Sequence, residues 1–339
     1  MTRDISRRRF LGASAAVTAG MFAASHISTS NVSAQGTAAD AFKTKILKAT
    51  ICGEPTDALF EPLVEAGFNG VETMFWHPDS ITPQKAAEAR LIAEKHGMRI
   101  HSVMRAWAEF NNTDDAARQK TIDDTAYSLR IAAAYGADTI LVVPCRIGGM
   151  AMPAPWDFEI DFDPETLMVN KVVAGDNAPY KDYIEAQNRS TKMSVEAIDS
   201  LIPLAAELGV VIAIENVWNN LWVMPEFFAA FVRSFDNIWV RTYLDLGNHF
   251  RYRKTEDWVM ACDTTIIKTH CKDFLFDKSK PNGGDWKYLH EGSINWPEVR
   301  KCLDAVNYNG WLTDESGAPT NAELARRMDA IIAGKKLNI

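Results

Sequence analysis

The sequence predicts an α/β protein whose eight parallel strands close into a (β/α)8 barrel. Three observations carry that prediction. Short β-rich runs alternate with helical patterns eight times after Lys45. Several helical stretches stop at a glycine just before the next strand, at His96-Gly97, Tyr135-Gly136 and Leu208-Gly209. An open doubly wound sheet often carries a glycine-rich phosphate loop, and no such loop stands in this chain. The length of 339 residues admits one to three domains, but a barrel of roughly 250 residues folds as one. The expected organisation is a leader over 1–34, a linker over 35–44 and a single barrel domain over 45–339.

The leader comes first. Ser6-Arg7-Arg8-Arg9-Phe10-Leu11 precedes an apolar, alanine-rich run that ends near Ala24, and Val32-Ser33-Ala34 offers small residues for cleavage. A charged start, a short apolar core and small residues make a signal peptide. The paired arginines followed by Phe-Leu make it the twin-arginine type, which carries folded proteins, so export to the periplasm is expected. The apolar run falls short of the ~20 residues a spanning helix needs, so no stable membrane span is expected after processing.

The strands follow in order: Ile46–Cys52, Gly70–Phe75, Arg99–Met104, Thr139–Pro144, Val210–Asn216, Trp239–Asp245, Thr265–His270 and Gly310–Glu315. Helical patterns between them include Pro83–His96, Ala116–Tyr135, Tyr183–Leu208, Pro225–Phe235, Pro297–Val306 and Ala322–Ala333. Two connections, from Cys145 to Tyr180 and from Cys271 to Trp296, are long. Both follow a strand and therefore sit on the face where barrel enzymes keep their active sites. The first is read either as a lid or as a contact in a homo-oligomer. The five cysteines are an odd, widely spaced set with no CxxC pair, which reads as buried free thiols. A net charge of -8 argues against nucleic acid or an anionic membrane as the main partner.

The ends of the late strands carry the chemistry. Strand five ends in Glu215, strand six in Asp245, strand seven in His270 and strand eight in Glu315. Side chains alternate along a strand, so the apolar row Val210, Ile212 and Ile214 should meet the helices and turn Glu215 inward. Glu315 is in phase with Thr313, and Asp245 is opposite Leu244. His270 is in phase with Lys268, so an inward lysine needs a charge partner or the strand is locally irregular. Three converging carboxylates would repel one another, and a divalent cation removes the conflict. With a neutral imidazole the set sums to about -1. Mostly oxygen ligands favour a hard ion, and the imidazole tilts the choice to Mn2+, with Mg2+, Co2+ and Zn2+ as alternatives.

These segments resemble the xylose-isomerase-like (β/α)8 TIM-barrel superfamily, near the ketose 3-epimerases and L-xylulose-5-phosphate 3-epimerases. The residues carrying the likeness are Gly70-Val71-Glu72, His101-Ser102-Val103-Met104, Ile214-Glu215-Asn216-Val217-Trp218-Asn219, Asp245-Leu246-Gly247-Asn248, His270-Cys271-Lys272-Asp273-Phe274, His290-Glu291-Gly292 and Gly310-Trp311-Leu312-Thr313-Asp314-Glu315. The family's metal quartet falls on Glu215, Asp245, His270 and Glu315, the four selected by strand position. The resemblance implies that Glu215 and Glu315 also serve as the catalytic acid/base pair. Ketose 3-epimerases place a His three residues after the metal Asp. Here that position is Asn248, with His249 next, which looks more like the xylulose-phosphate epimerase branch. Glu72, His101, Asn248, His249 and Lys272 are the candidate substrate contacts, with Arg105 and Glu291 behind them.

The implied activity is a metal-dependent sugar isomerase or epimerase working through an enediolate on an unphosphorylated ketose or keto-sugar, a small carbohydrate substrate. Most of the ten Trp and sixteen Phe are expected in the core, with a few left to stack on a sugar ring. The alternatives are a metal-dependent lyase or hydratase on 3-keto-glycosides, a phosphodiesterase of the apurinic-endonuclease type, and a non-enzymatic periplasmic sugar-binding protein. The second uses more His ligands than this chain offers, and the third needs no metal quartet.

Overall fold

The computed structural model describes residues 42–74 and 80–339. The leader over 1–34 lies outside these residues, as do most of the linker and Phe75 at the end of the second expected strand. The barrel strands are β1 (Ile46–Cys52), β2 (Gly70–Met74), β3 (Arg99–Trp107), β4 (Thr139–Val143), β5 (Val211–Glu215), β6 (Val240–Asp245), β7 (Ile266–Cys271) and β8 (Gly310–Asp314). Each pairs in parallel with its neighbours in sequence, and β8 closes on β1 with Ile46 opposite Gly310 and Thr50 opposite Asp314. The helices are α1 (Asp57–Glu65), α2 (Pro83–Lys95), α3 (Asp115–Tyr135), α4 (Lys181–Leu208), α5 (Pro225–Arg233), α6 (Thr255–Cys262), α7 (Trp296–Ala305) and α8 (Asn321–Ile332). The expected (β/α)8 barrel is therefore observed.

Local chemistry sets the ends of these elements. Thr56, Thr82, Asp114 and Thr320 each accept a backbone N–H from the first turn of the helix that follows, at 2.8 to 3.3 Å, which satisfies a donor the helix itself cannot pair. At the other ends Gly97, Gly136 and Gly209 take left-handed φ of 67°, 72° and 66°.

The main core lies between strands and helices, and it includes Ile212, Ile214, Leu244 and Leu312. A second, small cluster of Leu141, Val143, Ala213 and Tyr243 fills the barrel. This split fixes the facing of the strand ends: Glu215 is in phase with Ala213, and Asp245 with Tyr243, so both turn inward. Lys268 also lies inside, 3% exposed, and pairs with Asp138 at 2.7 Å just before β4. The register between β6 and β7 shifts at Thr242/Tyr243. The inward lysine has its partner, and its neighbourhood is irregular as well.

The five cysteines are free, and all but Cys302 are buried. At the foot of the barrel Arg300 of α7 donates to the Thr44 hydroxyl at 2.9 Å and to its carbonyl at 2.8 Å, and lies 3.9 Å over the Phe42 ring. The two long connections each fold into a small antiparallel ribbon, Asp161–Phe162 with Val169–Lys171 and Asp273–Phe276 with Gly284–Lys287. The first packs Phe158 against Tyr183 and Tyr252, with Arg253 donating to the Phe158 carbonyl at 3.1 Å. Among the described residues no helix is long and apolar enough to cross a membrane.

Candidate metal centre and active site

Glu215 and Asp245 end β5 and β6, His270 lies one residue from the end of β7, and Glu315 follows β8. Register places them side by side, with Asp245 opposite His270 and His270 opposite Thr313. One ligand atom from each lies within 4.8 Å of the other three, a set that could hold a metal ion. The imidazole Nδ1 is the hub, at 3.4 Å from Glu215 Oε1, 3.2 Å from Glu315 Oε2 and 4.0 Å from Asp245 Oδ2.

The donor set fits a cation. Nδ1 of His270 and Oδ2 of Asp245 are buried and make no hydrogen bond, although buried polar atoms ordinarily find a partner. The other faces of both groups are spoken for. Nε2 of His270 lies 2.5 Å from Glu72, so Nε2–H donates to the carboxylate and the Nδ1 lone pair is left for a ligand. Oδ1 of Asp245 accepts from the Gly247 and Asn248 amides at 2.8 and 2.6 Å. Lys272 Nζ stands beside the set, 2.7 Å from Glu315 and 3.2 Å from Asp245. With that ammonium counted, three carboxylates and a divalent ion sum to zero.

Electrostatics follow from this crowding. Burial pushes Asp245 up to about 7, with Lys272 opposing and Glu315 and Glu215 adding to the rise. Burial also raises Glu215. Glu315 goes the other way: burial works against it, but the neighbouring His270 imidazole and the Lys272 ammonium hold its carboxyl well below the usual range. Burial would lower His270, yet the Glu72 charge and the surrounding carboxylates raise it well above the ordinary histidine value. Two acids with opposed shifts at one mouth are a common arrangement for acid/base work.

The other expected contacts are spread around this centre. Glu72 is fully buried, held by Ser102 Oγ at 2.7 Å as well as by His270, so it backs the imidazole. His101 is also fully buried, stacked on Trp311 at 4.3 Å and bonded to Thr313 at 3.0 Å. Burial and the Lys268 charge lower it well below the usual histidine value, so it is neutral. Asn248 donates to the Asn216 carbonyl at 3.0 Å and reaches Glu215 at 3.4 Å. His249 turns away, to the Val217 carbonyl at 2.7 Å, and burial pulls it down to about 3. Arg105 bonds the Trp107 carbonyl at 2.8 Å, and Glu291 pairs with Arg327 at 2.8 Å.

Sequence reasoning assigned no role to two residues that organise the mouth. Asn216 accepts from the Asp245 amide at 2.6 Å and donates to its carbonyl at 2.9 Å, clamping the ends of β5 and β6 together. Asp273 accepts from the Trp296 indole and from the amides of His290 and Phe274, each at 2.9 Å, and from Ile294 at 3.3 Å. Both follow a quartet member closely in sequence, which was the available signal. Close approach also explains two glycines of the motifs above. A Cβ on Gly247 would lie 2.6 Å from the Lys272 carbonyl, and one on Gly292 would lie 2.1 Å from Asp273 Oδ1. Beside the quartet a cavity of about 340 Å3 is lined by Lys272, Trp286, Lys287, Tyr288, Glu291, Glu315 and Ser316.

Comparison with known proteins agrees with this architecture. Among solved structures, a xylose isomerase domain protein from Planctomyces limnophilus has a TM-score of 0.60 at 14% identity, covering 86% of this chain and 97% of its own. A 3-keto-D-glucoside 4-epimerase from E. coli has a TM-score of 0.61 at 15% identity, covering 85% and 99%. A D-psicose 3-epimerase from Clostridium cellulolyticum H10 has a TM-score of 0.60 at 14% identity, covering 86% and 100%. At such identities the likeness is one of fold. No curated protein matches the chain. A family model described as the xylose isomerase-like TIM barrel matches residues 60–332, and the chain belongs to that family.

Proposed function

We propose that the protein is a metal-dependent sugar isomerase or epimerase, acting through an enediolate on an unphosphorylated ketose or keto-sugar. The observation that carries this reading is the convergence of Glu215, Asp245, His270 and Glu315, with both glutamates within 3.4 Å of one imidazole nitrogen. A divalent cation held there, Mn2+ by the mixture of oxygen ligands and one imidazole, would supply Lewis-acid stabilisation of charge on a ketone oxygen. Glu215 and Glu315 would exchange a proton at the carbon next to that ketone. General-base catalysis of this kind contributes about 10²–10⁴-fold. Asn216 and Asn248 orient Glu215 and Asp245 through the bonds described above, and Lys272 is placed to meet a substrate hydroxyl. Proton return to the opposite face of the same carbon gives an epimer, and return to the neighbouring carbon gives an aldose–ketose pair.

The activities of two structural relatives, a D-psicose 3-epimerase and a 3-keto-D-glucoside 4-epimerase, support the reaction class. The arginine-rich start would direct export, and sugar phosphates are mainly cytoplasmic metabolites, which favours an unphosphorylated substrate. The test is solvent exchange. Purified protein loaded with Mn2+ is incubated with unphosphorylated ketoses and keto-glycosides in D2O and followed by NMR. Label at C3 of a ketose is expected from an epimerase, and label at C1 or C2 from an isomerase. An eliminated product identifies a lyase instead, and no exchange into any sugar overturns the enediolate reading.

A further inference from the structure

The cavity beside the quartet has a shape that the enediolate chemistry alone does not use. Glu315 and Lys272 line it, whereas Glu215, Asp245 and His270 lie outside its lining. It therefore opens sideways from the Glu315 flank and is not the space between the two glutamates. Its far wall is aromatic and wet. Trp286 is 44% exposed and Tyr288 41% exposed, whereas most other large rings among the described residues are buried or half-buried.

That wall is held firmly. Trp286 pairs across the ribbon with Phe274. Its ring meets Phe274 at 5.0 Å in an edge contact and Trp218 at 5.0 Å. Trp218 is pinned in turn, its indole N–H donating to the Asn248 carbonyl and the Arg251 guanidinium lying 3.8 Å over its ring. Asp273 ties down the segment that follows. The outcome is a preorganised, partly exposed platform edged by Glu291, Lys287 and Ser316. Lys272 joins platform and quartet, with Nζ 5.1 Å from the Trp286 centroid and 2.7 Å from Glu315.

Exposed Trp and Tyr rings beside carboxylate and ammonium groups suit a ligand with one apolar face and a polar rim. A pyranose ring is such a ligand. We infer that this cavity is a subsite for a second ring, so that the substrate is a glycoside: its reacting keto-sugar lies between Glu215 and Glu315, and its non-reacting ring rests on Trp286 and Tyr288. The inference rests on the function proposed above and narrows its substrate class. Contacts to a non-reacting ring hold the reacting carbon in place, so a truncated substrate loses turnover as well as affinity.

The test compares one-ring and two-ring compounds. Mn2+-loaded protein is titrated with D-glucose, D-fructose, cellobiose, maltose and phenyl β-D-glucopyranoside, with affinity read by calorimetry. At least one two-ring compound should bind tenfold or more tighter than either monosaccharide. Trp286→Ala should abolish that margin and leave monosaccharide affinity unchanged, and Trp286→Phe should restore most of it. Tyr288→Ala should reduce the margin severalfold, and it decides the matter if Trp286→Ala does not fold. Equal affinity for both classes, equal losses in both, or no binding by any of the five overturns the subsite. Deuterium exchange into D-fructose without a two-ring preference removes the subsite and leaves the enediolate reading. A two-ring preference with no exchange into any sugar does the reverse.

Discussion

The imidazole of His270 is gripped from behind by Glu72 and faced by three carboxylates, and this sets its charge. Its raised pKa favours a second proton on the ring when no metal is bound. A cation binding at Nδ1 must expel that proton. The sign follows: proton and metal compete, so affinity climbs as pH rises, by about tenfold per unit while one proton is displaced. Titration of Mn2+ in buffers of different ionisation heat should show net proton release, and a flat affinity between pH 6 and 8 would sink this account. Glu315 has the opposite character, a carboxyl kept ionised beside Lys272. Glu315→Gln should keep the fold by circular dichroism and lose about three orders of magnitude or more in turnover, through lost metal affinity and lost proton exchange. Near wild-type rate in that variant would take Glu315 out of the mechanism.

Among the elements, β7 and β4 are joined under the mouth by an ion pair whose lysine is buried. Lys268 lies inside the barrel and Asp138 reaches it from the start of β4. Removing the carboxylate leaves a buried ammonium without its partner. The Asp138 side chain is 41% exposed, so water offsets part of the loss. Asp138→Asn should cost about 1–3 kcal/mol, read as a lowered urea midpoint with an unchanged slope; an unchanged midpoint would show that the pair adds nothing. Lys268 is also a case where the sequence was legible in part. Alternation along β7 put it inside and demanded a partner, but no pattern along the chain says which distant acid supplies one. The eight strands were readable because a buried parallel strand is a short run of branched residues bounded by turn signals. The quartet was readable because every barrel strand ends at the same mouth. The ribbons at Asp161–Phe162 and Asp273–Phe276 were not, since two- to four-residue strands barely develop a period. Asn216 and Asp273 escaped assignment because most of their bonds are to backbone groups, and backbone carries no sequence signal.

At the scale of the whole molecule, a metal bound at the quartet would be linked to the fold. A ligand that binds only the folded chain stabilises it by about 2.7 kcal/mol at a hundredfold excess over its Kd. Addition of Mn2+ should raise the Tm by several degrees and EDTA should reverse the change; an unchanged Tm across both treatments would mean that the four strand ends do not take up the ion. The foot of the barrel has a different consequence. Arg300 fastens Phe42 and Thr44 at the end of the molecule remote from Glu215 and Glu315. The point of attachment at Phe42 is thereby fixed at the foot of the barrel, away from the mouth that carries the quartet. A bulky reporter domain fused ahead of Phe42 should leave kcat/KM untouched, whereas the same reporter spliced into the ribbon that carries Trp286 should obstruct entry.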